Sequence, residues 1–152
     1  MITAWRICAA ARTATAFDGH SAAKYPGRWN PSGVRAVYAA ENRSLAALEV
    51  LVHAEDKELL VAARWSIISV RFDPSLVSTP SRFPPNWQKV PAPETTRKFG
   101  GDWVAKGASA VLRVPSVVTL GESCYILNPL HPDFPKVEVG EAEPFSFDGR
   151  SA

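Results

Sequence analysis

Thirteen of the 152 residues are proline, and their spread along the chain limits how long any element can run. Proline fixes its own φ and removes a backbone donor, so it ends helices and is kept out of central strands. Six prolines fall between Pro74 and Pro93, which predicts an ordered but irregular crossing loop there. Short elements joined by stiff loops are what such a chain can build, and its 5 Trp supply large rigid rings to pack them. The hydrophobic share of 46% supports a core, and 152 residues suit a single domain spanning 1–152.

The charges exclude several classes. Lys and Arg number 17 against 15 Asp and Glu, with no basic stripe, so no direct nucleic-acid contact is expected. Cys8 and Cys124 are too few for a disulfide framework or a structural zinc site. His20, His53 and His131 are too dispersed to argue for a metal. Arg6 and Arg12 interrupt the apolar start, which argues against a secretory signal. No segment approaches the roughly 20 apolar residues of a membrane helix. A cytoplasmic protein without membrane contact is the expectation.

Strands are expected at Thr3 to Ile7, Ala36 to Ala39, Trp65 to Phe72, Ala110 to Val118 and Cys124 to Leu127, with a final pair at Val137 to Val139 and Phe145 to Phe147. Residues 13–32 read mostly as loop. One helix is predicted from Ser44 to about Leu60, with Ser44 as its cap and Leu45, Leu48, Val52 and Leu59 at helical spacing. A second helix, from Thr95 to Lys106, is expected to break at Gly100-Gly101. Strands outnumber helices without regular alternation, so the fold class is α+β with a mixed or antiparallel sheet.

Glu49 lies in the most apolar part of the first helix, on the stripe of Leu45 and Val52, with His53 one turn later. Desolvating a carboxylate is costly, so either Glu49 sits at the stripe's edge beside an Arg, or it is held at the floor of a cleft. Arg28 lies in Tyr25-Pro26-Gly27-Arg28-Trp29-Asn30-Pro31, a loop that offers a guanidinium for phosphate or carboxylate and a ring for stacking. Without further context it is an ordinary surface loop with one buried Trp. Tyr38 ends a strand just before the Glu49 helix, as a core tyrosine or at the same cleft edge. Ser116 follows Pro115 in an apolar strand, where its hydroxyl could serve a ligand or a backbone carbonyl. Asn128-Pro129-Leu130-His131-Pro132 reads as a rigid strand terminator.

Three segments, in order, resemble the RES domain of bacterial toxin–antitoxin systems. They are Gly27-Arg28-Trp29-Asn30; Tyr38-Ala39-Ala40 leading into Ala46-Ala47-Leu48-Glu49-Val50-Leu51-Val52-His53; and Val114-Pro115-Ser116-Val117-Val118 with Leu127-Asn128-Pro129 and His131-Pro132. The resemblance implies a fold like that of diphtheria-toxin-type ADP-ribosyltransferases and chemistry on NAD⁺ as substrate, with no metal. It implies Arg28, Glu49 and Ser116 as the catalytic set, and Arg28, Trp29, Tyr38, His53 and Asn128 as the NAD⁺-binding set. Members degrade NAD⁺ by hydrolysis or phosphorolysis, or transfer ADP-ribose to a protein. The implied partner is an Xre-like antitoxin occluding the cleft, with a homodimer as a further possibility; a catalytically silent antitoxin-binding module is the alternative of another class. Many members carry Asn where this chain has Cys124, which removes an amide from that position.

Overall fold

The computed structural model describes residues 1–151. Seven strands form one sheet in the order β4-β5-β6-β2-β1-β3-β7. They are β1 (Ile2–Ala9), β2 (Val37–Ala40), β3 (Trp65–Phe72), β4 (Val77–Ser78), β5 (Val111–Pro115), β6 (Ser123–Leu127) and β7 (Glu138–Phe145). Every neighbouring pair is antiparallel except β4 with β5, so the expected α+β mixed sheet is observed. The helices are α1 (His20–Lys24), α2 (Arg43–His53), α3 (Lys57–Ala62) and α4 (Glu94–Lys106).

The first expected helix is two helices with a different cap. Asn42 Oδ1 accepts the Leu45 N–H and starts α2, so Ser44 lies inside the helix. Lys57 Nζ donates to the Leu51 and Ala54 carbonyls and closes the end of α2. Asp56 then caps α3 through the Glu58 and Leu59 N–H groups. The buried stripe of α2 also shifts. Leu45 and Ala46 are buried, whereas Leu48, Val52 and Leu59 are exposed. Periodicity alone selected the larger apolar residues, yet the small Ala46 is what lets α2 lie against the sheet.

Helix α4 runs unbroken through Gly100-Gly101. A Cβ on Gly100 would come within 1.6 Å of the Trp29 carbonyl oxygen, and one on Gly101 within 3.0 Å of the Pro31 ring. The two glycines form a notch that seats the 27–31 loop, which is why the helix accepts their cost of about 1 kcal/mol each.

The two expected C-terminal strands are one, β7, paired with β3 across an irregularity between Ile68 and Val70. It is an edge strand with almost every residue exposed, so it lacks apolar alternation and tolerates Pro144. Strand β5 stops at Pro115 and not at Val118, because the chain turns at Ser116.

One sheet face packs Ala4, Val37, Val70, Phe72, Tyr125 and Leu127 into a continuous cluster. The other face carries two covers. Helix α4 and the Trp29 loop bury Leu112, Val114 and Ile126, while α2 buries Ile7, Ala40 and Ile67. Cys124, near the start of β6, packs against both clusters. The line where the two covers meet lies above it.

Candidate functional site

Glu49 reaches this line from the middle of α2. Its Oε1 accepts the Ser116 hydroxyl at 3.2 Å and the Cys124 thiol at 3.6 Å. Ser116 is buried just beyond β5, and its Oγ accepts the N–H groups of Val118 at 3.1 Å and Thr119 at 3.0 Å. A hydroxyl has one proton and two acceptor positions. With both acceptor positions filled by backbone, the proton is committed to Glu49. Ser116 therefore orients the carboxylate and has no capacity left for a ribose hydroxyl. Among the described residues nothing bonds Glu49 Oε2, which stays available.

Cys124 was set apart by sequence for the amide it lacks, yet it supplies a donor of its own. Burial, followed by the Glu49 carboxylate, pushes its thiol well above the usual range. It is thus a protonated donor at neutral pH and not a thiolate nucleophile.

Arg28 projects from the loop between α1 and β2. One guanidinium nitrogen donates to the Trp87 carbonyl at 2.9 Å and the Lys89 carbonyl at 2.6 Å. These belong to the proline-rich crossing, which acquires a role: it holds Arg28 with neutral acceptors and leaves its charge uncompensated by any carboxylate bond among the described residues. Burial lowers the Arg28 pKa, Glu49 and Tyr38 oppose that, and Arg97 adds to it. The guanidinium stays charged throughout.

Tyr38 donates its hydroxyl to Asn30 Oδ1 at 2.6 Å and accepts the Trp29 N–H at 3.0 Å. Burial raises its pKa strongly, partly opposed by the Trp29 N–H and by Arg97 and Arg28. The hydroxyl is spent on the loop, so only the ring is left for a ligand. Asn30 is fully buried, with Oδ1 also accepting the Gly27 N–H and Nδ2 donating to the Ala22 and Val34 carbonyls. It is the post on which the Arg28 loop is wound. A Cβ on Gly27 would meet the Tyr38 hydroxyl at 2.6 Å, so glycine is required there.

The structure thus brings Arg28, Tyr38 and Arg97 within electrostatic reach of one another, and Arg28 within reach of Glu49, which Ser116 and Cys124 hold. His53 is exposed one turn beyond Glu49, with Nδ1 donating to the Glu49 carbonyl at 2.7 Å. Trp29 does not offer a ring face. It is 4% exposed, with Phe83 and Phe99 edge-on at 5.6 and 5.9 Å. Asn128 lies four residues along β6 from Cys124, about 13 Å at roughly 3.3 Å per residue. Its Oδ1 accepts the Leu130 N–H, and it borders a different hollow with Arg35 and His131. Arg97 had no local signal in the sequence, because its position depends on how α4 packs. Among the described residues no group of three or more His, Cys, Asp or Glu is placed to hold a metal. No described helix is long and apolar enough to cross a membrane.

The RES domain family model matches residues 3–148. The chain belongs to the RES family. This RES protein is 36% identical over 151 residues to the "Prs ADP-ribosylating toxin" of Sphingobium sp. (strain YBL2), covering 96% of this chain and 94% of that one. It is 35% identical over 143 residues to "Toxin Res" of Yersinia enterocolitica, covering 94% and 93%. In fold it is similar to a chain in the crystal structure of the M.tuberculosis MbcT-MbcA toxin–antitoxin complex. That similarity has a TM-score of 0.73 at 17% identity and covers 95% of this chain and 84% of that one.

Proposed function

We propose that this RES protein is the toxin of a toxin–antitoxin pair and that its cleft breaks the nicotinamide–ribose bond of NAD⁺, passing ADP-ribose to water or phosphate. The carrying observation is the Glu49 carboxylate, held by two donors on Oε1 with Oε2 available, within electrostatic reach of an Arg28 that bonds no carboxylate. Cleavage sends the bonding electron pair to the nicotinamide nitrogen, which neutralises the pyridinium and leaves an oxocarbenium-like ribose. Glu49 Oε2 stabilises that charge and orients a ribose hydroxyl. Arg28 attracts the pyrophosphate, and the Tyr38 ring offers a face to a flat heterocycle. The leaving nicotinamide is neutral, so no general acid is needed. The acceptor then adds to the ribose carbon and gives up its proton. A mixed sheet with two covers on one face, the Trp29 loop that carries Arg28 and the helix that carries Glu49, also supports kinship with the diphtheria-toxin-type ADP-ribosyltransferase fold.

A second reading, transfer of ADP-ribose to a protein, is favoured by the relative named as an ADP-ribosylating toxin. Labelled NAD⁺ incubated with cell extract separates the two. Free ADP-ribose or its phosphate supports degradation, and a labelled protein band supports transfer. Omitting phosphate separates hydrolysis from phosphorolysis. Neither NAD⁺ loss nor label transfer would leave only the silent binding module. For the partner we propose an Xre-like antitoxin that closes the cleft; an open cleft in the purified pair would contradict this.

A further inference from the structure

We propose that Arg97 is a second phosphate-binding cation of the cleft, acting beside Arg28 on the dinucleotide pyrophosphate; this rests on the NAD⁺ reading above. No local pattern singles out Arg97; the packing of α4 places it. The Gly100-Gly101 notch seats α4 on the Trp29 carbonyl and the Pro31 ring. One turn earlier on the same helix, Arg97 Nε then donates to the Gly27 carbonyl at 3.3 Å. Gly27 is the residue before Arg28, so the fold delivers two guanidiniums to one loop.

No carboxylate separates them. Arg28 is bonded to carbonyls alone. Arg97 has one acidic neighbour, Glu94, at 3.4 Å, with a side chain 88% exposed, and such an exposed pair contributes little. The two cations are close enough that Arg97 adds to the lowering of the Arg28 pKa by burial, and both lower the Tyr38 phenol against its burial. Holding two like charges together is unfavourable unless an anion joins them. A dinucleotide carries two ionised phosphate groups, and one guanidinium compensates only one. Each guanidinium is a planar fork able to take two phosphoryl oxygens; Arg28 is anchored through one nitrogen, and Arg97 through Nε on Gly27, with Nη1 on the exposed Glu94 carboxylate. Inorganic phosphate, as an incoming acceptor, has the same chemistry, but the pair spans two phosphates better than one.

Calorimetric binding of ADP-ribose, which contains the pyrophosphate and is not cleaved, tests this without relying on turnover. For Arg97→Gln the ADP-ribose affinity should fall about tenfold or more, since a charge-assisted contact is lost. The KM for NAD⁺ should rise in step, with the loss falling on KM and not kcat. Arg97→Lys keeps the charge without the fork and should show a smaller loss; it carries the test if Arg97→Gln fails to fold. Wild-type ADP-ribose affinity in a folded Arg97 variant would overturn the inference, as would a wild-type protein that binds no ADP-ribose. An effect confined to the phosphate dependence of NAD⁺ loss would also overturn it. Tight ADP-ribose binding without NAD⁺ cleavage would instead sink the proposed reaction and leave Arg97 in place.

Discussion

Ser116 Oγ donates to Glu49 Oε1 at 3.2 Å while accepting two backbone N–H groups from the turn that follows it. Three bonds exhaust the hydroxyl, so Ser116 sets where the carboxylate points. The link ties α2, one cover of the sheet, to the turn that follows β5 in the sheet beneath it.

Ser116→Ala should therefore lower kcat for NAD⁺ loss about ten- to a hundredfold, the cost of a carboxylate misplaced by roughly an ångström. KM should move little. The half-buried Val118 and Thr119 N–H groups also lose their acceptor, which should cost about 1 kcal/mol in denaturant unfolding. An unchanged kcat in the folded variant would remove Ser116 from the role of orienting Glu49.

The thiol of Cys124 is a weaker second donor. Cys124→Ser keeps a donor and should retain most activity, whereas Cys124→Ala should lose about two- to tenfold in kcat. Equal activity in the two variants would show that the thiol contact contributes nothing.

Cys124 also makes a pH prediction. Its thiol pKa is raised above the ordinary value of 9.0, by burial first and then by Glu49. A raised folded-state pKa means that stability is fully present below about pH 9 and is lost as pH rises towards the folded value. Alkylation at pH 8, followed by mass spectrometry, should be slow at Cys124 in the native protein and faster in Glu49→Gln, which removes the negative neighbour. Rapid native labelling, unaffected by Glu49→Gln, would contradict the assignment.

Gly100 tests the notch. A methyl group there would meet the Trp29 carbonyl, so Gly100→Ala should destabilise by about 1–3 kcal/mol as α4 is pushed from the Arg28 loop. Because Arg97 and Arg28 move with it, the KM for NAD⁺ should rise as well. A variant with wild-type stability and KM would show that α4 does not set the cleft wall.

What the sequence made legible follows the reach of each interaction. Trp65 to Phe72 alternates at period two and is strand β3 with the same bounds, since local pattern suffices for a strand with a clear inner face. The Glu49 anomaly was legible because a carboxylate within an apolar helix is a local conflict. The break after His53 was missed because the caps at Asn42 and Asp56 lie outside or between the apolar runs. Gly100 and Gly101 looked like a break because their purpose lies in a loop some 70 residues away in sequence. Trp29 looked like a stacking surface because nothing local reveals Phe83 and Phe99 around it. Arg97 and the carbonyls of Trp87 and Lys89 were invisible for the same reason. Tertiary contacts decide them.

The most direct test of the proposed function is NAD⁺ consumption by Glu49→Gln, a near-isosteric change that removes the charge and keeps the side chain's size. Circular dichroism and the melting temperature establish that the variant is folded, and products are resolved chromatographically against wild type. Loss of at least about a hundredfold in kcat is expected, the range seen when one preorganised electrostatic group is removed. A folded Glu49→Gln protein that consumes NAD⁺ at the wild-type rate would contradict the assignment of this cleft.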